Sequence, residues 1–307
     1  MRRRLALVVT AVITALSGVI AGAIPAQAAS LPVDWNWSRG FLGNLAWPGS
    51  PPPGANDFGC RSTGDKLPVI LIHGTYEHQR DNWAAMSPFL KNHGFCVFTL
   101  NYGGRSGDLF WGSKSVADSA VELGAFVEKV RSSTGSDRVD LVGHSQGGMM
   151  PRYYLKFLGG QGKVRNLVAL GPSNHGTTLS GLATLAQAIG VTGPLASIQP
   201  ALTDQTIGSP LMKKLGTCPD GPDADICAGD PTTYTVIMEK GDQVVTPYTN
   251  GFLVGAKNIT AGQVCPLELA EHLGMTYSRN IAQLTLKALD PTVTKNVCVL
   301  SLPYVGG

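Results

Sequence analysis

The pentapeptide Gly143-His144-Ser145-Gln146-Gly147 constrains this chain more than any other stretch. It lies between an apolar, strand-like run over 138–142 and a helical pattern that begins near Gly148. A serine at the corner of a strand-turn-helix requires a turn so sharp that the residues two before and two after it can carry almost no side chain. Gly143 and Gly147 meet that demand. The same turn lifts the hydroxyl clear of a sheet and aims the first amides of the helix at the point where an acyl oxygen would gain charge, the arrangement called a nucleophile elbow. Gly-x-Ser-x-Gly also arises by chance in glycine-rich chains, and this one has 38 glycines, so the surrounding pattern has to support it.

That pattern alternates. An apolar run over 67–72 suits a buried parallel strand, Asp81 caps a helix expected to reach about His93, and a second strand follows over 95–100. Ser115 with Asp118 forms a capping box before Ala120, Leu123, Val127 and Val130 at helical spacing. After the elbow come a helix to about Leu158, a strand over 164–170, a strand over 234–238 and a last helix over about 276–288. Strands alternating with helices predict an α/β fold, a mostly parallel sheet with helices on both faces. Between Gly176 and Met212 the alternation fails: Asp204 is the only charged residue, and Leu182, Leu185 and Ile189 are among scattered apolar positions. This stretch reads as an apolar cap or lid insert that lines a substrate pocket, with a buried structural helix pair as the competing explanation.

The chain opens Met1-Arg2-Arg3-Arg4, continues almost uncharged to Ile24 and reaches Ala26-Gln27-Ala28, so residues 1–28 are expected to be a cleaved signal peptide rather than an anchor. The leader's arginines account for the whole formal charge of +3, leaving the remainder near neutral and without an electrostatic footprint for nucleic acid. Only 15% of residues are charged and 43% are hydrophobic, which favours greasy partners over ionic ones. A secreted, extracellular monomer is the expectation. Residues 29–55, rich in Trp and Pro, read as an irregular segment ahead of one domain over 56–307. Six cysteines in an exported chain imply disulfides. Proximity pairs Cys218 with Cys227, and the others are assigned as Cys60–Cys96 and Cys265–Cys298.

A serine nucleophile needs a base, an orienting acid and oxyanion donors. Only His175 and His272 follow Ser145 in the chain. His175 comes too early to leave an acid-bearing strand before it, so His272 is the expected base and His175 a loop-bracing residue. Asp242, just past the strand over 234–238, is the expected acid, with Glu239 its main rival, and Glu271 is badly placed beside the base. The backbone N–H groups of Thr75 and Gln146 are the expected oxyanion donors, and the Thr75 hydroxyl could add a third. His73 reads as a loop brace, Asp140 as a buried-network carboxylate, His144 as a neighbour leaving the elbow on another face, and His78 and His93 as surface residues. No Cys-x-x-Cys, His-x-x-x-His, Gly-x-Gly-x-x-Gly or phosphate-binding Gly-Lys-Ser/Thr pattern occurs, so no metal or cofactor is expected.

With these pieces in place the chain resembles the secreted bacterial triacylglycerol lipases of class 2, within the α/β-hydrolase fold. The resemblance is carried by Val69 to Thr75 (VILIHGT), Asp140 to Gly148 (DLVGHSQGG) with Tyr153 to Lys156 (YYLK), Ser173 to Thr178 (SNHGTT), Asp242 to Pro247 (DQVVTP) and Glu271-His272. It implies hydrolysis of acylglycerol esters through an acyl-serine, with Ser145, Asp242 and His272 as triad and Thr75 and Gln146 at the oxyanion. A carboxylesterase of soluble esters would share every one of these residues, and a binding protein on the same scaffold is the non-enzymatic alternative. The stretch before about Ala55 falls outside the resemblance.

Overall fold

In most strands among the described residues successive side chains serve two different cores, and that alternation explains the architecture. Ile70 and Ile72 pack into one buried cluster and Val69 and Leu71 into another, as the period of two in a strand requires when both faces of a sheet are covered. The computed structural model describes residues 30–47, 49–108, 110–188, 190 and 199–307; the expected leader over 1–28 lies outside them. Leu31–Gly307 form one compact unit.

The sheet comprises β1 (Val69–Ile72), β2 (Val97–Leu100), β3 (Val139–His144), β4 (Val164–Leu170), β5 (Thr233–Met238) and β6 (Lys257–Thr260). Its order is β2-β1-β3-β4-β5-β6, with every pair parallel. One face is covered by α4 (Val116–Thr134) and α5 (Gln146–Phe157), whose Leu123, Val127, Met150 and Leu155 join the cluster of Ile70 and Ile72. The other is covered by α3 (Met86–Asn92) and α9 (Arg279–Leu289), through Met86, Leu90, Ile281 and Leu286. Each fully buried aliphatic side chain contributes about 1.5–3 kcal/mol, so the sheet interior dominates the stabilisation.

Several boundaries differ from the sequence expectation. The segment over 29–55 is not wholly irregular: α1 (Trp37–Ala46) forms there, its Asn36 cap accepting from Arg39 N at 3.1 Å. The helix expected from Asp81 to His93 is two helices, α2 (Gln79–Trp83) and α3. Pro88 lacks the N–H an interior helical residue donates, so it is tolerated only in a new first turn, and Asp81 sits inside α2 accepting from His78 N at 2.7 Å. The final helix starts later than Thr276 because Ser278 caps it, accepting from Ile281 N at 3.2 Å, while Gly274–Tyr277 form a 3-10 turn. Strand β6 went unread because Lys257 and Asn258 are exposed at the sheet edge and leave no apolar run.

All three expected disulfides form, Cys60–Cys96, Cys218–Cys227 and Cys265–Cys298. The last, with the bridge between Glu268 and Ser301, ties the C-terminal tail to the segment that leads into His272. No helix among the described residues is long and apolar enough to cross a membrane.

The elbow is the tightest backbone crossing. A Cβ on Gly143 would lie 1.9 Å from Gly147 O, and one on Gly147 would lie 2.2 Å from Ile72 O and 2.4 Å from His73 O. These are backbone atoms of neighbouring elements and cannot give way cheaply. Gly147→Ala is expected to lose about 3 kcal/mol or more of stability. Gly241→Ala, whose new methyl would meet nothing nearer than Ala270 O at 3.8 Å, should stay within about 0.5 kcal/mol of wild type. Thermal melts of the two variants check the contrast, and a Gly147→Ala protein as stable as wild type would contradict the packing argument.

Candidate active site

Parallel strands bring their carboxyl ends to one rim of the sheet, and the candidate residues gather there. Ser145 follows β3 directly with φ 54° and ψ −124°, a left-handed conformation that a serine adopts only under constraint. Its N–H donates to Leu170 O at the end of β4, 2.8 Å away. The next residue, Gly171, is pressed against the second half of the site: a Cβ there would meet Asp242 Oδ2 at 3.2 Å and His272 Nδ1 at 3.3 Å. Residues from three distant stretches are thereby held around the ends of β3 and β4.

Asp242 lies in the turn after β5, where its Oδ1 accepts from Val244 N at 2.9 Å and Val245 N at 2.8 Å. Those two bonds aim the other oxygen, Oδ2, at His272 Nδ1, 2.8 Å away. Both side chains are fully buried. Burial alone would lower the pKa of His272, but the Asp242 charge and hydrogen bond, with Glu77 and Glu271 nearby, outweigh it and raise the value above 6.5. Nε2, on the far side of the ring, is buried and meets no hydrogen-bond partner among the described residues. Glu239 is engaged elsewhere, accepting from Lys240 N at 2.8 Å and Gly262 N at 2.6 Å. Glu271 turns back to accept from Leu273 N at 2.6 Å and Gly274 N at 3.0 Å.

Thr75 stands after β1 and Gln146 opens α5, and neither backbone N–H has a protein acceptor among the described residues. Helix geometry explains the second case, since the first amides of a helix have no intrahelical partner. The Thr75 hydroxyl, expected as a third donor, points elsewhere: it donates to Gln146 Oε1 at 2.6 Å. Tyr76, next in the chain, is another non-glycine residue with positive φ, at 63°, so the backbone is strained on both sides of the rim.

The remaining histidines divide by environment. His73 stacks on Tyr102 and donates from Nδ1 to Gly74 O at 2.8 Å, and burial drives its pKa down to about 4, so it is a neutral brace. His175 is exposed and bonded to Asn250 O and Asp225, a loop brace as expected. His93 lies at the surface, but His78 does not, being 3% exposed at the N-cap of α2. Asp140 is the buried partner of Arg165 and Asn166.

Sequence reasoning missed Glu77 and misplaced His144. Glu77 is a buried carboxylate that accepts from Gly74 N at 2.9 Å and Asn82 Nδ2 at 2.7 Å. Its Oε2 also meets His144 Nδ1 at 2.9 Å. His144 Nε2 donates to His272 O at 2.9 Å, and the two rings lie 4.8 Å apart. His144 therefore does not leave the site; with Glu77 it ties the loop after β1, the elbow and the His272 loop together. A Glu close after His-Gly-Thr was visible in the sequence, but only the folded chain sets it beside His144.

Leu182 and Leu185 are buried on α6 (Leu179–Ala188) in two small clusters apart from the sheet core. Leu182 packs with Tyr76 and Leu202, and Leu185 with Val244 and Leu273, each beside a candidate site residue. Ile189 lies outside the described residues. The insert also holds α7 (Pro200–Asp204) and α8 (Pro210–Leu215). Ser145 is 3% exposed and His272 fully buried.

For Glu77, burial opposes ionisation, but the His144 imidazole, through charge and hydrogen bond, and that of His272 outweigh it and hold the carboxyl below its ordinary 4.5. A group with a depressed folded pKa stabilises the fold above its unfolded value and loses that contribution as pH falls through the folded one. Chemical denaturation between pH 3 and 7 should therefore show wild type losing stability below about pH 4.5. Glu77→Gln should be less stable at pH 7, by about 1–3 kcal/mol, and flatter in the acid range. Parallel acid slopes for the two proteins would remove Glu77 from the account.

Comparison with known proteins adds an independent line. The model of the family described as lipase (class 2) matches residues 66–195. Over 93 residues the chain is 33% identical to a triacylglycerol lipase of Pseudarthrobacter phenanthrenivorans, a stretch covering 29% of this chain and 28% of that one. A triacylglycerol lipase of Burkholderia plantarii is likewise 33% identical over 93 residues, 29% of this chain and 25% of its own length. The match thus spans only about a quarter of these curated relatives. Among solved structures, Aspergillus fumigatus lipase B superposes with a TM-score of 0.59 at 21% identity, covering 78% of this chain and 55% of that one. Bacillus licheniformis lipase BlEst2 in its mature form gives 0.52 at 19% identity, covering 80% of this chain and 96% of that one. At those identities the likeness is one of fold, the α/β-hydrolase arrangement of a parallel sheet between helical layers. The segment that matches the class 2 lipase family, residues 66–195, contains the elbow, both of its flanking strands and the Thr75 loop.

Proposed function

We propose that this protein is an exported serine hydrolase that cleaves carboxylic esters of acylglycerols through an acyl-serine intermediate. The observation that carries the reading is the buried Asp242–His272 pair: one carboxylate oxygen is fixed by two backbone amides, the other holds Nδ1 at 2.8 Å, and Nε2 meets no hydrogen-bond partner among the described residues.

In this reading Ser145 Oγ attacks the acyl carbon while His272 Nε2 takes its proton, and Asp242 stabilises the imidazolium that forms. The carbonyl oxygen becomes an oxyanion facing the Thr75 and Gln146 amides, whose lack of protein acceptors suits them to receive it. Collapse expels the alcohol, which receives the proton from His272. Water, deprotonated by the same Nε2, then attacks the acyl-serine, releasing the acid and restoring the hydroxyl. The buried Leu182 and Leu185, beside Tyr76, Val244 and Leu273, support an apolar acyl partner met at a lipid–water interface. Export is supported by the leader-like sequence together with three disulfides.

Three measurements test this reading. A fluorophosphonate should label Ser145, as read by peptide mass analysis; activity lost with the adduct on another serine would sink the mechanism. The base acts when neutral and its pKa is raised, so kcat/KM should fall as pH drops through a midpoint above 6.5. Asp242→Asn should lower turnover by on the order of 10³–10⁴-fold and move that limb to lower pH, whereas Glu239→Gln should do little. Serine at both Leu182 and Leu185 should weaken hydrolysis of emulsified long-chain triacylglycerol more than that of p-nitrophenyl butyrate; equal losses with a lowered melting temperature would favour the structural-helix explanation.

A further inference from the structure

One buried side chain joins the apolar insert to the rim of the sheet. Gln205, at the end of α7, is 2% exposed, and its backbone is fixed: Thr177 N donates to its carbonyl at 2.8 Å and Ile207 N to Thr177 O at 3.1 Å. Its amide Nε2 lies 2.8 Å from Thr75 Oγ1, 3.1 Å from Gln146 Oε1 and 3.0 Å from Ala201 O. Its Oε1 accepts from Ser173 Oγ at 2.9 Å. The amide can sit only one way round, because a flip would set its oxygen against Gln146 Oε1 and Ala201 O, both acceptors.

These bonds dictate the state of the Thr75 hydroxyl. Thr75 Oγ1 accepts from Gln205, so its own hydrogen goes to Gln146 Oε1 at 2.6 Å. That oxygen already has a second donor within reach in Gln205 Nε2. The hydroxyl can therefore turn toward an oxygen gaining negative charge without orphaning a buried acceptor, and a donor behind it strengthens the bond it then makes.

We propose that Gln205 is a positioning residue for the oxyanion site, donating to the Thr75 hydroxyl and taking its place at Gln146 Oε1 when the hydroxyl turns to the acyl oxygen. The inference rests on the serine-hydrolase reading above. It makes the insert more than a pocket wall: its α7 end completes the second layer of donors on which the Thr75 hydroxyl depends.

A double-mutant cycle tests it, with kcat and KM measured on a soluble p-nitrophenyl ester for wild type, Gln205→Met, Thr75→Val and the double variant. Fluorophosphonate titration of Ser145 counts the competent molecules in each sample. Gln205→Met and Thr75→Val should each lower kcat by about tenfold or more. KM should stay within about twofold of wild type, the mark of an interaction made in the transition state. The double variant should be no slower than the worse single one, because both act through one hydroxyl. Wild-type kcat in Gln205→Met, or multiplying losses in the double variant, would overturn the proposal. If Gln205→Met does not fold, Gln205→Glu keeps the shape and the Ser173 acceptor while removing the amide donors, and it should show the same loss of kcat. A wild-type protein that is not labelled at Ser145 would instead sink the underlying hydrolase reading, which keeps the two failures apart.

Discussion

The crossing of two backbones at the elbow is the constraint on which the site depends. Gly143 and Gly147 pass so close that neither has room for a Cβ, and Gly147 lies equally tight against the carbonyls of Ile72 and His73 at the end of β1. That contact forces Ser145 to φ 54° and starts α5 one residue later. It also brings the end of β1 against the start of α5, which is why the amides of Thr75 and Gln146 belong to the same neighbourhood. A looser turn would free the serine from strain and at the same time separate the groups that surround it.

Around this crossing the chain builds buried polar layers rather than an apolar floor. Glu77 and His144 join the loop after β1 to the carbonyl of His272, and Gln205 joins the Thr75 and Gln146 side chains to the insert. Buried polar groups hold a single geometry when each finds a partner and destabilise the fold when one is left out. His73 contributes differently, as a neutral ring stacked on Tyr102, its charge suppressed by burial.

Much of the architecture was legible because β1 to β5 are short apolar runs bounded by helices of clear period. The Ser115 cap, the Cys pairings and the placing of Asp242 beyond β5 were open to the same reading, since each rests on local chemistry or chain order. What escaped it lacked a local signal. Strand β6 carries Lys257 and Asn258 at an exposed edge, α1 forms in a segment dense in Trp and Pro, and the break between α2 and α3 depends on Pro88 falling into a first turn.

The sequence by itself determined the elbow, the order of serine, acid and histidine, and the apolar character of the insert, because glycine sterics, strand period and chain order are written in neighbouring residues. Only the tertiary structure decided what those groups face. His144, read as leaving the elbow, is held between Glu77 and His272 O; the Thr75 hydroxyl turns to Gln146; His78 is buried; and Gln205, with nothing beside it in the chain to mark it, reaches both Thr75 and Gln146. Partners such as Gln205 and Thr75, 130 residues apart, are chosen by how the strand ends converge, and no local pattern encodes that convergence.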